Sequence, residues 1–512
     1  MYGTSLKSLP KSLCWSLIAL LFLGAATVYL ESVPPIGWDE GWTLSVARNW
    51  VELGHYGRLS LGEKVPSGLQ AALPVTGAVA LAFNYAGVGL IQARLVIVGY
   101  LIASLICLFI LACRFFDRRI AVAVLVVLLL SGGMENHPLL LARQVLGEVP
   151  ALFFLLAGYL CFLQAGEKPG IYLLGSILFW SIAIITKAQV LPFLLASLTV
   201  PLAAAIVLRR WSIVRRFGAA ILGSGLLGYF WQHLITQFLI PNSFAIPGLQ
   251  LAVGLVFNPF RRVIALATTF EVGLPTLLGL VWTVRKIITK ESFESHAAAV
   301  RLSYYILAAT WFVWYELASV GWPRYLFPSA FLASIFVAQM FHDWTDGFRF
   351  MATLRRVGAV LRRLQFSQRD LYAVAALILV VWATVQTSKD LVDAFSVGDR
   401  NPLLETVDYL HNQTPTTSVI ETYDSELFFY LRRRYHYPPD QYHVELIQRK
   451  DHAQGIKVSY DPLEADPDYL VVGNWCRYYK CYDSGIIESA FKLVKTFGPY
   501  QVFERRRSLS LP

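Results

Sequence analysis

The feature that most constrains this chain is a series of long apolar runs that recurs as far as about residue 390. A helix needs about 20 mainly apolar residues to cross the hydrocarbon core of a bilayer. Hydrophobic residues make up 56% of the sequence and charged residues 15%, whereas a soluble domain carries about 25% charged residues. The runs and the deficit of charge together predict a polytopic α-helical membrane protein.

The first run, from about Trp15 to Leu30, follows Lys7 and Lys11. A charged start before an apolar stretch is typical of a signal peptide, but the length and the lack of a clear small-residue cleavage site favour an uncleaved signal anchor. In either case the residues that follow are expected outside. With this run, about eleven crossings are predicted. The other ten are the runs near 91–113, 119–133, 149–166, 170–186, 188–208, 217–240, 263–284, 302–320, 325–341 and 371–388.

Segment 71–88 decides the orientation of everything that follows it. It is apolar but short for a span and rich in Gly, Ala and Pro, so we expect it to lie at the interface or to re-enter. The cluster that begins at Arg114 and those that follow it then face the cytoplasm, as the positive-inside rule requires. The exception is the pair Arg261 and Arg262, which this topology leaves near the outer face.

The same argument places the termini. The protein is predicted to reside in the plasma (inner) membrane, with the N-terminus cytoplasmic and the C-terminus outside or periplasmic. The formal net charge of +10 is then explained by topology signals that face anionic lipid. Nucleic acid is not expected as a partner.

The chain changes character after residue 389. We predict a transmembrane domain over 1–390, with a first outer loop at 31–90, and an extracytoplasmic α/β domain over 391–512. The patterns in the second domain predict a helix and two buried strands. They also predict a hairpin around Gly498 and Pro499. The helix is Leu403 to Leu410, and the strands are Ser418 to Thr422 and Tyr469 to Val472.

Two cysteines of this domain, Cys476 and Cys481, lie five residues apart. They either form a local disulfide or remain two free thiols. An oxidising compartment outside the membrane favours the disulfide.

The first outer loop opens on two adjacent acids, Asp39 and Glu40, between tryptophans. Charge this close to a bilayer is costly, so such acids are usually solvated or functional. The structural alternative is that Asp39 is the N-cap of a surface helix.

The predicted topology brings further charged groups to the same face. Arg143, Glu148, Lys187 and Arg324 all fall in outer loops or at outer helix ends. Each has a structural explanation, since Glu148 suits a helix N-terminus and Lys187 and Arg324 can snorkel. Acids and cations at one depth nevertheless predict a cavity suited to group transfer from a membrane-bound phosphate donor. In such a cavity a carboxylate takes a proton from an incoming hydroxyl and cations hold the leaving phosphate.

The order of these residues resembles that of the GT-C glycosyltransferases. The resemblance rests on Asp39-Glu40 between tryptophans, an acid in the second outer loop, Thr186-Lys187 with Pro192 beyond, and Arg324-Tyr325-Leu326-Phe327-Pro328. It is strongest to the branch of protein O-mannosyltransferases and aminoarabinose lipid A transferases. It covers about residues 10–390 and, more loosely, the C-terminal domain.

The resemblance implies a GT-C fold and a membrane enzyme that moves a sugar from a polyprenyl-phosphate carrier to an acceptor hydroxyl on the non-cytoplasmic face, with inversion. The acceptor class stays open between protein, lipid and glycan. By position, Asp39 is the general base, and Glu40 is its partner, which either positions the acceptor or shares the role of base. Glu148 takes the place of the family's second-loop acid, which in relatives is often Asp, and is a third predicted catalytic residue. Lys187 and Arg324, with Arg143 as a further cation, are placed to bind the donor phosphate.

No cofactor is predicted. Some GT-C branches use a divalent metal, but no His/Asp cluster in this sequence has convincing ligand spacing. The alternative function is a transporter or flippase of lipid-linked sugars. Such a protein is expected to show pseudo-symmetric halves, and none is evident. A structural protein of the envelope would explain neither the acids nor the cations.

Overall fold

The computed structural model describes residues 24–68, 72–133, 135–240, 254–363, 367–396 and 401–506. Most of the first apolar run therefore lies outside the described residues, and so does the predicted position of the N-terminus. In the described residues, six helices are long and apolar enough to cross a membrane. They are Leu90–Phe115, Pro169–Thr186, Val190–Val207, Pro259–Ile287, His296–Ala318 and Gln368–Phe395.

Further helices complete a mostly helical bundle. Arg118–Leu129, Glu148–Gln164, Trp211–Phe238 and Phe327–Trp344 follow the predicted runs, and Phe350–Arg363 is a basic amphipathic helix. The helix that begins at Gln368 continues to Phe395, past the domain boundary predicted at residue 390. The predicted count of about eleven crossings stays a prediction, since these shorter or more polar helices do not meet the length and composition of a span by themselves.

The short apolar segment of the first loop forms the helix α2, Leu73–Ala86, which packs on the preceding helix α1, Trp38–Leu53, and on α3, Leu90–Phe115. Its 14 residues extend about 21 Å at 1.5 Å per residue. A bilayer core is about 30 Å thick. The helix is therefore too short to cross, as its sequence predicts. Between α1 and α2 a small antiparallel hairpin pairs β1, Gly57–Ser60, with β2, Glu63–Pro66.

The basic cluster that begins at Arg114 and the acidic residue Glu40 lie at opposite ends of α3. Near the start of α3, Arg94 pairs with Glu40. After 26 residues, or about 39 Å, the same helix ends beside Arg114. The exceptional pair Arg261 and Arg262 belongs to the site end. Arg261 pairs with Asp451 of the C-terminal domain, and Arg262 donates to the carbonyl of Glu316 at 2.7 Å. These two arginines therefore have protein partners there.

The C-terminal domain contains a mixed five-stranded sheet, whose strands are β3 Val419–Thr422, β4 Arg434–His436, β5 Tyr469–Val472, β6 Phe491–Phe497 and β7 Tyr500–Arg505. Their order in the sheet is β4-β3-β5-β7-β6. The predicted helix and strands are present with shifts of one or two residues, and β6 and β7 form the predicted hairpin. The sequence patterns did not predict β4 or the helices after it. The longer helices of the domain are Pro402–Asn412 and Asp440–Asp451.

Cys476 and Cys481 form a disulfide. It closes the loop around a short helix, Asn474–Tyr479, that follows β5. The bridge favoured by the compartment argument is thus present.

The domain contains a buried carboxylate that is paired with a histidine. Glu421 is fully buried and accepts hydrogen bonds from Tyr482 at 2.9 Å and Tyr460 at 3.1 Å. Its other oxygen lies 2.6 Å from Nδ1 of His436. Burial opposes charge on the ring, but the hydrogen bond and negative charge of Glu421 outweigh burial and raise the pKa of His436.

This pair predicts a pH-dependent stability. The pKa of His436 is raised in the folded protein. The contribution of this histidine to the free energy of unfolding is therefore complete below about pH 6.5, the pKa of a free histidine. It is lost as pH rises through the pKa of the folded state. The melting temperature of the C-terminal domain should therefore fall above pH 6.5. His436→Gln should flatten this slope in thermal unfolding followed by tyrosine and tryptophan fluorescence.

Glu421→Gln is the matched partner variant, since it keeps the oxygen acceptor and removes the charge that the ring requires. An unchanged pH slope in both variants would assign the dependence to other groups.

Candidate functional site

Asp39 lies in the first turn of α1 and faces a cation from a distant loop. The N-cap position is Gly37, and no side chain caps this helix. The structural alternative of Asp39 as N-cap is therefore excluded. Its Oδ2 is 2.5 Å from Nη2 of Arg324, and the two side chains are 16% and 20% exposed. Asp39 is thus an accessible carboxylate in an ion pair.

The neighbouring carboxylate, Glu40, has a different setting. It is fully buried, and Arg94 donates to it twice, from Nε at 2.9 Å and from Nη2 at 2.8 Å. The backbone N–H of Val145 adds a third bond at 3.0 Å. A carboxylate held this way is a structural anchor, because sharing a proton with Asp39 would leave the Arg94 charge buried without its counter-ion.

A second ion pair joins Glu148 to Lys187. Glu148 is the first residue of its helix, where backbone N–H groups favour a negative charge. Lys187 directly follows the helix Pro169–Thr186. Glu148 is 2% exposed and Lys187 is 19% exposed. The ammonium group of Lys187 is therefore the accessible member of the pair, and the carboxylate of Glu148 is buried beside it.

Tyr325 connects the two ion pairs. Nζ of Lys187 and the guanidinium carbon of Arg324 each lie 5.4 Å from the centre of its ring. Trp322 adds a second aromatic face at 5.0 Å from Arg324. The two cations therefore converge on one aromatic centre.

A cavity of about 1360 Å³ opens beside these groups. Asp39, Glu40, Lys187 and Arg324 line it, together with residues of the bundle and of the C-terminal domain. Glu148 and Arg143 are not among its lining residues.

The position of Arg143 does not fit its predicted role in binding the donor phosphate. Its side chain is fully buried and donates to the carbonyls of Ala25, at 3.3 Å, and Val28. Phe395 covers the guanidinium at 4.8 Å. Because Arg143 holds the end of the first helical segment instead of facing the cavity, it is not placed to bind a donor phosphate.

The C-terminal domain forms one wall of the cavity. The sequence did not predict that this domain contributes to the site. His443 lines it and stacks on Trp38, with ring centres 4.4 Å apart. Burial lowers the pKa of His443 to about 4, against the opposing charge of Asp39. No motif marks this histidine. Arg94 did carry a signal, since an arginine within an apolar run is costly without a partner.

The same domain holds the turn that carries Asp39. The indole of Trp38 donates to the carbonyl of Tyr423 at 3.0 Å, and the hydroxyl of Ser425 donates to the carbonyl of Trp38 at 2.5 Å. A Cβ on Gly41 would lie 2.4 Å from Cα of Glu426. This contact therefore requires glycine at position 41. Asp39 is restrained by Trp38 on one side of it in the sequence and by Gly41 on the other.

Solved structures share this architecture over nearly the whole chain. ArnT from Cupriavidus metallidurans in the apo state aligns with a TM-score of 0.61 and 14% identity, covering 98% of this chain and 100% of that chain. Its complex with undecaprenyl phosphate gives a TM-score of 0.60 with the same identity and coverage. The chain has the GT-C fold.

A more distant likeness extends to the Archaeoglobus fulgidus oligosaccharyltransferase in the apo form. It has a TM-score of 0.52 and 11% identity, and covers 91% of this chain and 71% of that chain. At these identities the likeness is one of fold. No family model matches the chain, and no curated protein matches it. The resemblance predicted from the motifs is confirmed at the level of the fold.

Gly41 gives a test of the contact between α1 and the C-terminal domain. Gly41→Ala should weaken it by about 1–3 kcal/mol, because the added carbon meets backbone that cannot yield cheaply. Gly225→Ala is the matched control, since a Cβ there meets nothing within 4 Å. Hydrogen exchange should speed up over residues 38–45 and 423–428 in Gly41→Ala only. Equal hydrogen-exchange rates in the two variants would show that the contact accommodates the added carbon without weakening.

Proposed function

We propose that this protein is an integral membrane glycosyltransferase that moves a sugar from a polyprenyl-phosphate carrier to an acceptor hydroxyl on the non-cytoplasmic face. The observation that carries the proposal is the pair of cations around Tyr325, opposite an accessible carboxylate, in one cavity. The fold it shares with ArnT bound to undecaprenyl phosphate supports the choice of carrier.

The donor phosphate binds to Lys187 and Arg324. Arg324 has five N–H donors and gives one to Asp39, and Lys187 has three and gives one to Glu148. Each cation therefore has donors to spare for phosphate oxygens without releasing its acid. Such charge-assisted bonds are about twice as strong as neutral ones.

Asp39 is the general base. Its free oxygen accepts the proton of the acceptor hydroxyl while the hydroxyl oxygen forms a bond to the anomeric carbon. The bond from that carbon to the phosphate oxygen breaks, and its electron pair leaves with the polyprenyl phosphate. Attack opposite the leaving phosphate inverts the anomeric centre. Arg324 touches both the base and the phosphate site, so it neutralises the charge that develops on the leaving group.

Glu40 and Glu148 act as positioning residues in this scheme. Glu40 anchors the turn that carries Asp39, and Glu148 orients Lys187. A volume of about 1360 Å³ exceeds the 300–1,000 Å³ of an ordinary small-molecule pocket. It accommodates a sugar phosphate and an acceptor together.

We propose further that no metal ion takes part in this scheme. In the described part of the chain, no three His, Cys, Asp or Glu side chains are grouped so as to hold a metal ion. The scheme assigns charge neutralisation to Lys187 and Arg324 alone.

The phosphate site is tested by neutralising each cation. Lys187→Ala and Arg324→Ala should each weaken binding of a polyprenyl phosphate by about 10- to 150-fold, the equivalent of one lost charge-assisted bond of 1.5–3 kcal/mol. Titration of the purified protein with undecaprenyl phosphate measures this. Lys286→Ala is the control, since Lys286 pairs with Asp343 and is 54% exposed. Wild-type affinity in both site variants would mean that these cations merely snorkel.

The base is tested by Asp39→Asn. The substitution keeps the shape and removes the proton acceptor, so sugar transfer should fall by about 10²–10⁴-fold while polyprenyl phosphate still binds. Asp117→Asn is the control, because Asp117 caps a helix start beyond the far end of α3 and asparagine caps about equally well. Near-normal turnover by Asp39→Asn would refute the assignment of the base and favour transport of lipid-linked sugar.

A further inference from the structure

Beside Asp39 and Arg324, the cavity wall carries a group of aromatic side chains from the C-terminal domain. We call Trp475, Tyr478 and Tyr479, on the short helix Asn474–Tyr479, the aromatic ledge. All three line the cavity. The ring of Trp475 lies 6.3 Å from that of Trp322, which in turn faces Arg324. The ledge therefore adjoins the proposed reaction centre.

The ledge is held rigidly along its backbone. The disulfide between Cys476 and Cys481 closes its loop. The buried carboxylate of Asp424 accepts from the backbone N–H groups of Gly473 at 2.6 Å and Trp475 at 3.0 Å. Arg449 donates to the carbonyl of Lys480 at 3.1 Å. A surface fixed in this way loses little freedom when a ligand binds, which is the advantage of preorganisation.

The side chains of the ledge are held as well. The hydroxyl of Tyr478 accepts from Arg261 at 2.6 Å, and Lys450 lies 3.1 Å from the centre of its ring. Tyr478 is nevertheless 37% exposed. These contacts fix the ring and leave part of its surface free.

Hydrogen-bonding groups stand next to these ring faces. Asn474 lines the cavity at the start of the ledge. Its amide oxygen accepts from Arg477 at 3.0 Å, which leaves the amide nitrogen as a donor. His443 lies against Trp38, and its Nδ1 is bonded to the hydroxyl of Tyr423, which leaves Nε2 for a molecule in the cavity. Burial holds the pKa of this ring at about 4, so the imidazole is neutral at physiological pH and serves as a hydrogen-bonding group without charge.

This combination selects among the three acceptor classes. A sugar ring has an apolar face of C–H groups and a rim of hydroxyls, which match flat aromatic faces beside an amide and a neutral imidazole. A peptide commonly binds by adding a strand to a sheet edge. The edge strands β4 and β6 contribute no residue to this wall among the described residues. An alkyl chain would leave the amide nitrogen of Asn474 and Nε2 of His443 desolvated without partners.

We propose that the acceptor is a carbohydrate whose sugar ring stacks on the aromatic ledge, with its hydroxyls bonded to Asn474 and His443 and one of them presented to Asp39. The inference rests on the proposed function for the role of this site as an acceptor subsite, but the binding of carbohydrate is measured independently of it.

The test uses the full-length protein in lipid nanodiscs, saturated with undecaprenyl phosphate. The probes are a panel of soluble neutral and amino-sugar oligosaccharides, serine- and threonine-containing peptides, and a long-chain alcohol. Saturable binding of at least one oligosaccharide is expected. Trp475→Ala should weaken it at least about tenfold, as for a central aromatic contact, and Trp475→Phe should restore part of the loss.

Trp211→Ala is the matched control. Trp211 is 61% exposed and begins the helix Trp211–Phe238, whose other end lines the cavity. This variant should bind oligosaccharide as the wild type does. Asn474→Ala and His443→Ala should each raise the dissociation constant, and reducing the disulfide should do the same. Undecaprenyl phosphate should bind equally in all of these proteins.

Three results would overturn the proposal. They are the absence of saturable oligosaccharide binding, binding that is indifferent to Trp475→Ala, and Trp475-dependent binding of only a peptide or the alcohol. Failure of the proposed function looks different. In that case undecaprenyl phosphate would not bind the wild type, while the Trp475-dependent oligosaccharide binding would remain.

Discussion

The buried ion pair between Glu40 and Arg94 is the constraint on which the site depends. Both side chains are fully buried. Arg94 also donates to the carbonyl of Leu30 at 2.8 Å, and Glu40 accepts from the backbone of Val145. The pair therefore joins four separate parts of the chain at one point. Removing either partner would leave a buried charge uncompensated, at a cost of about 3–5 kcal/mol.

This anchor explains how two adjacent acids acquire different roles. Successive residues of a helix point about 100° apart. With Glu40 held on the inner side of α1, Asp39 faces the cavity and meets Arg324. The C-terminal domain completes the restraint through Trp38 and Gly41. These restraints keep the Asp39 carboxylate in one position, and proton transfer requires a base that is held in a fixed geometry.

The cavity combines elements that no single part of the chain supplies. The bundle contributes Lys187 and Arg324, the first loop contributes Asp39, and the C-terminal domain contributes aromatic faces and His443. Each cation is already paired with an acid, so the site carries concentrated charge without a large net charge. Arg261, paired with Asp451, fastens the domain to the bundle beside the aromatic ledge.

The sequence by itself determined the mostly helical class with apolar spans, the short helix α2 and most strands of the C-terminal domain. It also predicted Asp39, Lys187 and Arg324 as site residues, and the structure brings these three to one cavity. Apolar length, charge clusters and strand patterns are local properties, so they can be read without coordinates. Only the tertiary structure showed that Asp39 is accessible while Glu40 is buried, and that Arg143 lies away from the cavity. It also showed that Glu148 is buried beside Lys187 and that His443 and Trp475 line the cavity. Those outcomes depend on which side of a helix faces which neighbour hundreds of residues away, and packing decides that, because a buried charge must find its partner wherever the fold brings one.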